Sequence, residues 1–297
     1  MSTTAVIPYN RLVPARFPPC TFPFAMPELP EVQTVLDAIA PLVSDQTIVD
    51  VIIGWEGVIG GPPLPVFRHE LVGRSVVGVE RRGKYMLFRL DDGRWLVMHL
   101  RMTGQMRVVP ASDPRHKHDH LSFRLQDGRE WRFNDTRKFG RAWLVAEPAE
   151  VTHKLGPEPL GDDFSADYLA LALARRRAPI KSLLLDQRLT AGIGNIYADE
   201  ALYRAGIHPL RPGGSLSEQE LARLVGAVKA VLKQALAEHG TTLRDYRRPD
   251  GSIGSFQNSL QVFRRDGEPC PGCGAPIRRI IVGGRSTHFC PEEQPER

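Results

Sequence analysis

The chain has 297 residues, 42% of them hydrophobic, with a formal net charge of +5 and a pI near 9.2. That is enough apolar sequence for a large core and two domains of ordinary size, while no run approaches the ~20 apolar residues of a membrane helix, which argues against a spanning role. Four cysteines are too few to staple a chain this long, so a secreted disulfide scaffold is excluded and a reducing, cytoplasmic compartment is expected.

Residues 1–25 hold five prolines, no acidic residue and no sustained period, and so predict no packed element. Prolines interrupt the apolar core that a secretory signal needs; a mis-assigned start, an expression tail and a disordered arm all fit the segment. From Glu31 to Val43, Val32, Val35, Leu36, Ile39 and Leu42 recur at helical spacing, so a helix follows Pro27-Glu28-Leu29-Pro30 directly. Short β-like runs come next, at Ile48–Ile53, Ser75–Arg81, Tyr85–Leu90, Trp95–Leu100, Gln105–Val109, Leu121–Leu125, Glu130–Phe133 and Ala142–Ala146. Turn signals such as Asp91-Asp92-Gly93 and Asp127-Gly128 separate them, the pattern of an antiparallel sandwich or barrel of about eight strands. After Pro148 the periods turn helical, in Asp167–Arg175, Ile180–Gln187, Tyr197–Ala205 and Ser217–Glu238. Ser259–Glu293 then returns to short strands around paired cysteines.

The arginine clusters Arg81–Arg82, Arg175–Arg177, Arg247–Arg248, Arg264–Arg265 and Arg278–Arg279 suit a polyanionic partner, because each neutralised phosphate releases counterions. A merely solvated basic surface has the same composition. Cys270-Pro271-Gly272-Cys273 and Cys290 follow the spacing in which thiolates hold a structural zinc ion. By that spacing the fourth position is Glu293, a carboxylate that weakens a soft-ligand site, with His288 as a competing nitrogen donor. The plainer alternative is a set of free buried cysteines. In Asn134-Asp135-Thr136-Arg137-Lys138-Phe139-Gly140 a turn places a cation two residues before an aromatic, side chains able to fill the gap left by an extruded base, or simply to make a turn over a core phenylalanine. Gly192-Ile193-Gly194-Asn195 lies between helical segments and offers backbone amides to a phosphate, or a plain helix-to-helix turn. Lys84 follows Arg81-Arg82-Gly83 at the start of a strand, and His99, Met102 and Gln105 gather at the end of another.

Met26-Pro27-Glu28-Leu29-Pro30-Glu31-Val32 is similar to the amino terminus of the formamidopyrimidine-DNA glycosylase family. The resemblance runs on through Arg81-Arg82-Gly83-Lys84-Tyr85, His99-Leu100-Arg101-Met102-Thr103-Gly104, Asn134 to Gly140, Gly192 to Ala198 and the cysteine hairpin, in the family's order. Leu29 favours the oxidised-purine branch over the related endonuclease VIII branch. The resemblance implies an α+β fold: a catalytic helix and β-sandwich, a helix-two-turn-helix domain, and a zinc-finger hairpin. The expected bounds are a leader over 1–26, then 27–150, 151–258 and 259–297.

The implied activity is excision of oxidised purines, 8-oxoguanine and formamidopyrimidines, from duplex DNA, followed by β,δ-elimination at the abasic site. By resemblance Pro27 is the nucleophile through its amine, Glu28 the acid/base near the sugar oxygen, and Glu31 a support for the amino terminus. Lys84, His99, Asn195 and Arg285 would bind phosphates around the flipped nucleotide; Met102, Arg137 and Phe139 would fill the void; and Lys181 would approach the lesion or its backbone. Cys270, Cys273, Cys290 and Glu293 would hold one structural zinc ion. A monomer acting on damaged double-stranded DNA is expected. The implied chemistry requires an unacylated Pro27 nitrogen, so the active form is expected to start at Pro27; a chain that keeps residues 1–26 would be a silent damage-binding protein. A generic zinc-ribbon DNA-binding factor leaves the Pro27-Glu28 start and the sandwich unexplained.

Overall fold

The computed structural model describes residues 26–241 and 254–296. The expected leader, apart from Met26, and Arg247–Arg248 lie outside the described residues.

Helix α1 (Leu29–Val43) begins where Glu28 and Glu31 form a reciprocal capping box, with Pro30 in the first turn, where its missing N–H costs nothing. Its stripe of Val32, Val35, Leu36, Ile39 and Val43 is buried. The strands that follow are β1 (Ile48–Ile53), β2 (Ile59–Gly61), β3 (Val76–Arg82), β4 (Tyr85–Leu90), β5 (Trp95–His99), β6 (Gly104–Pro110), β7 (Asp119–Leu125), β8 (Arg129–Asp135) and β9 (Arg141–Val145), with helix α2 (Leu64–Leu71) between β2 and β3. They form two sheets, in the order β1-β7-β8-β6 and β2-β9-β5-β4-β3, whose pairs are antiparallel except β2 with β9. Trp131 lies between the sheets, 4.6 Å from the Phe88 ring and 4.8 Å from Phe123. The eight expected strands are present; β2, α2 and a short helix over Ala149–Thr152 were not foreseen, and β2, with three residues, is too short to show a period.

Beyond the sandwich come α3 (Ala149–Thr152), α4 (Ala166–Leu173), α5 (Ile180–Leu184), α6 (Asn195–Ala205) and α7 (Glu218–Ala237). Ser165 caps α4, and Ser217 with Glu220 makes a second capping box at α7. A second core joins α4 to α7 with Phe256 and Phe263. The chain closes with the hairpin β10 (Arg278–Val282) and β11 (Arg285–Phe289), turned by Gly283 and Gly284, both at positive φ.

One side chain clasps sandwich to helices. The Glu158 carboxylate accepts from Arg81 at 2.9 Å, Arg82 at 3.1 Å and the Gly83 N–H, and Arg82 also donates to the Leu155 and Gly156 carbonyls. Two of the arginines that composition offered to a polyanion thus fix the turn that carries Lys84.

Candidate active site

The site is built around the start of α6. Glu28, buried at the cap of α1, accepts from the Ile196 N–H at 2.9 Å and, more weakly, from the Tyr197 N–H at 3.4 Å. These two amides, which directly follow Gly192-Ile193-Gly194-Asn195, thus serve a carboxylate of the protein. The glycines have the matching reason. A Cβ on Gly194 would lie 2.3 Å from the Glu28 carboxyl carbon, and one on Gly192, at φ +89°, 2.8 Å from Leu29 Cβ. Glu31 completes the dock, accepting from the Tyr197 hydroxyl at 2.5 Å and the Thr241 N–H at 2.7 Å.

Burial pushes the Glu28 carboxyl up to about 7; Lys84 pulls it down, Glu31 raises it, and the amides of Ile196 and Tyr197 lower it. A carboxyl poised there exchanges protons at neutral pH. Burial likewise lowers the Lys84 ammonium, against the pull of Glu28 and Glu31 and helped by Arg285. His99 is held well below its ordinary range by burial, then by Arg101 and Lys84. Its Nδ1 accepts from the Arg101 N–H at 2.9 Å, so the neutral ring carries its proton on Nε2. Glu28, Lys84, His99, Asn195, Arg285 and Met26 line one cleft of about 700 Å³. Pro27, buried, joins Met26 to Glu28.

The loops expected to fill a void are tied together by a residue the sequence reading passed over. Asp135, buried, accepts from the Thr103 hydroxyl, the Arg137 N–H at 3.1 Å and the Gly140 N–H at 2.7 Å. The turn bearing Met102 and the turn bearing Arg137 and Phe139 therefore move as one. Phe139 is 45% exposed, with the Arg137 guanidinium 4.9 Å from its ring centroid, so it is no core phenylalanine.

The hairpin meets α6 through a second buried carboxylate. Asp199 pairs with the Lys181 ammonium on one oxygen and accepts from the His288 N–H at 3.0 Å and Nδ1 at 3.2 Å on the other. Lys181 is 0% exposed and donates also to the Ser286 carbonyl at 3.2 Å. The expectation that it approaches DNA is corrected: desolvation binds it into an internal ion pair that braces the hairpin. Asn195 donates to the same Ser286 carbonyl at 2.9 Å, while its buried Oδ1 has no protein partner and lines the cleft. Glu200 accepts from the backbone N–H groups of Gln261, Val262 and Phe263 at 2.8–3.0 Å. Sequence reading missed Asp199 and Glu200, although two acidic residues amid apolar helical positions are a legible signal of buried acceptors.

The sulfurs of Cys270, Cys273 and Cys290 lie within 4.8 Å of one another, with Cys273 and Cys290 3.4 Å apart. Three corners of a zinc tetrahedron, whose sulfurs stand ~3.8 Å apart for Zn–S bonds of ~2.3 Å, fit this spacing. His288 is not the fourth donor: Asp199 holds its Nδ1, and its Nε2 faces Asp266 Oδ1 at 3.5 Å. Glu293 is exposed and its carboxylate stands outside the three-sulfur group.

Residues 26–142 match the model of the formamidopyrimidine-DNA glycosylase N-terminal domain, 155–247 that of the formamidopyrimidine-DNA glycosylase H2TH domain, and 267–292 that of the zinc finger found in FPG and IleRS. The formamidopyrimidine-DNA glycosylase of Herpetosiphon aurantiacus is 47% identical over 269 residues, 90% of this chain and 98% of that protein. A mutant Lactococcus lactis FPG solved with Fapy-dG-containing DNA superposes with a TM-score of 0.86 at 36% identity, covering 91% of this chain and 100% of its own. The L. lactis Fpg on DNA with an abasic site gives 0.85 at 36% identity and the same coverage. With three domain models in register and this overlap, the chain belongs to the formamidopyrimidine-DNA glycosylase family.

Proposed function

We propose that the chain is a base-excision repair enzyme that removes oxidised purines from duplex DNA and then cuts the strand, acting as a monomer. The observation that carries this reading is the Glu28 carboxyl, poised at about 7 next to Pro27 in the lining of a cleft that also presents Lys84, His99, Asn195 and Arg285. The relatives solved on Fapy-dG-containing and abasic-site DNA support damaged duplex as the partner.

The Pro27 nitrogen, as a free secondary amine, attacks C1′ of the damaged nucleotide; the glycosidic bond breaks and the base departs with a proton. Glu28 supplies a proton to the opening sugar ring and later accepts one. The iminium acidifies the adjacent sugar C–H, whose loss expels the 3′ phosphate, and a second elimination expels the 5′ phosphate. Lys84, the Nε2–H of neutral His99, the second amide hydrogen of Asn195 and Arg285 donate to phosphates, while Met102, Arg137 and Phe139 occupy the vacated stack. Zinc, held by the three thiolates, supplies structure to the hairpin and no chemistry at the cleft.

Incubation with a duplex holding one 8-oxoguanine tests the reading. Strand scission leaving phosphate on both flanking ends is expected; release of the base with the abasic strand intact would remove the lyase half. A second reading, a silent damage-binding protein, is favoured by one observation: Met26, acylating Pro27, lines the cleft. In a chain keeping Met26 the nitrogen is a tertiary amide with no basic lone pair, and binding without scission is the expected result.

A further inference from the structure

We propose that the Glu293 carboxylate closes the zinc site, giving a centre of three thiolates and one carboxylate. The inference rests on the zinc-finger assignment and concerns the corner that the cysteines leave open. Backbone geometry already presents residue 293 to that corner. The Glu293 N–H points at Cys290 Sγ at 3.5 Å, the kind of contact that shapes a metal-binding turn. The turn is then locked: the Cys290 N–H donates to Gln294 Oε1 at 3.0 Å, the Gln294 N–H to the Cys290 carbonyl at 3.0 Å, and Gln294 Nε2 to the Ile207 carbonyl at 2.8 Å. These three hydrogen bonds, one of them to the helical part, hold Gln294 away from the metal corner.

The competing donors are committed elsewhere. His288 is held by Asp199 and faces Asp266. The Tyr203 hydroxyl stands 3.3 Å from Cys270 Sγ, an arrangement that suits a donor to a thiolate better than a rival ligand. The Glu293 carboxylate lies beside that hydroxyl: a Cβ placed on Gly272 would be 3.1 Å from both Glu293 Oε1 and the Tyr203 oxygen. A glutamate oxygen sits two bonds farther from the backbone than a cysteine sulfur, so the side chain has the length to enter the sulfur triangle from outside. An exposed side chain reaches back to the metal by rotation about its own torsions, with no backbone change. Gly272, lacking a Cβ, leaves the room for that rotation. The charge carried by the four ligands equals that of four thiolates, but the hard oxygen binds this borderline-soft ion less well than sulfur.

The test uses the zinc-loaded full chain and its Glu293→Ala and Glu293→Cys variants, with X-ray absorption at the zinc edge and zinc affinity from competition with a chromophoric chelator. Wild type is expected to show three sulfurs near ~2.3 Å and one oxygen near ~2.0–2.2 Å. Glu293→Cys should show four sulfurs and tighter binding, and Glu293→Ala should bind zinc at least about tenfold more weakly, since even outer-shell partners change affinity by about 10–100-fold. Water can replace the lost oxygen in Glu293→Ala, so affinity is the deciding readout there. Unchanged affinity in Glu293→Ala, or an imidazole signature in wild type that disappears in His288→Gln, would overturn the assignment. A wild-type chain that holds no zinc would overturn both the metal reading and the assignment.

Discussion

The start and the middle of α6 hold buried acidic side chains to opposite purposes. At its start, Glu28 reaches in from α1 and accepts from the Ile196 and Tyr197 amides in addition to its own capping box, while its carboxyl lines the cleft with Lys84. Little more than one turn on, Glu200 reaches out and is filled by three amides at 2.8–3.0 Å, and Asp199 is spent on Lys181 and His288. Burial raises the pKa of both glutamates, and backbone amides oppose it in both. What distinguishes them is position: Glu200 lies away from the cleft and welds two elements, whereas Glu28 lines the cleft and can carry a proton there.

The comparison breaks most visibly at Glu28. Glu28→Gln keeps the bond to the Ile196 N–H but has no proton to exchange, so excision should fall about 10²–10⁴-fold with lesion binding nearly unchanged, measured by single-turnover cleavage and gel shift. Equal loss of binding would make Glu28 a structural cap. Next in size, Asp199→Ala leaves Lys181 buried without its counter-charge and should cost about 3–5 kcal/mol, read as a lower denaturation midpoint; a loss under ~1 kcal/mol would remove the bracing role.

The pH dependence is smaller and has a definite sign. Folded Glu28 binds its proton up to about 7, whereas the unfolded side chain releases it near 4.5. Its contribution to stability is therefore complete below pH ~4.5 and is lost as pH rises through ~7. Glu28→Gln cannot titrate, so its melting temperature should fall less than that of wild type between pH 5 and 8; parallel curves would contradict the raised pKa. Smallest of all, Arg137→Ala removes an exposed cation–π contact and should shift stability by about 0.5–1 kcal/mol while weakening binding to lesion duplex.

Much of the sandwich was legible because strands of five to seven residues with turn signals between them show their period locally. The cleft residues Glu28, Lys84, His99 and Asn195 were legible only through their motifs, since spacing says nothing of which residues converge. The misses are instructive. Gly192 and Gly194 suited a phosphate loop or a plain turn alike, and the sequence did not show that their missing Cβ atoms make room for Leu29 and Glu28, 160 residues or more away. Lys181 looked like a free cation because its partner Asp199 lies on another helix. Asp135 went unread for the same reason: its partners Thr103 and Gly140 are loop groups with no periodic signature.

The central claim is that a free Pro27 amine does the chemistry that Glu28 assists. Borohydride trapping on an 8-oxoguanine duplex, run beside intact-mass analysis of the same preparation, tests it most directly. Protein that begins at Pro27 should be captured as a covalent adduct to DNA, and protein that retains residue 26 should not. A chain beginning at Pro27 that cuts lesion DNA yet forms no trapped adduct would contradict the account.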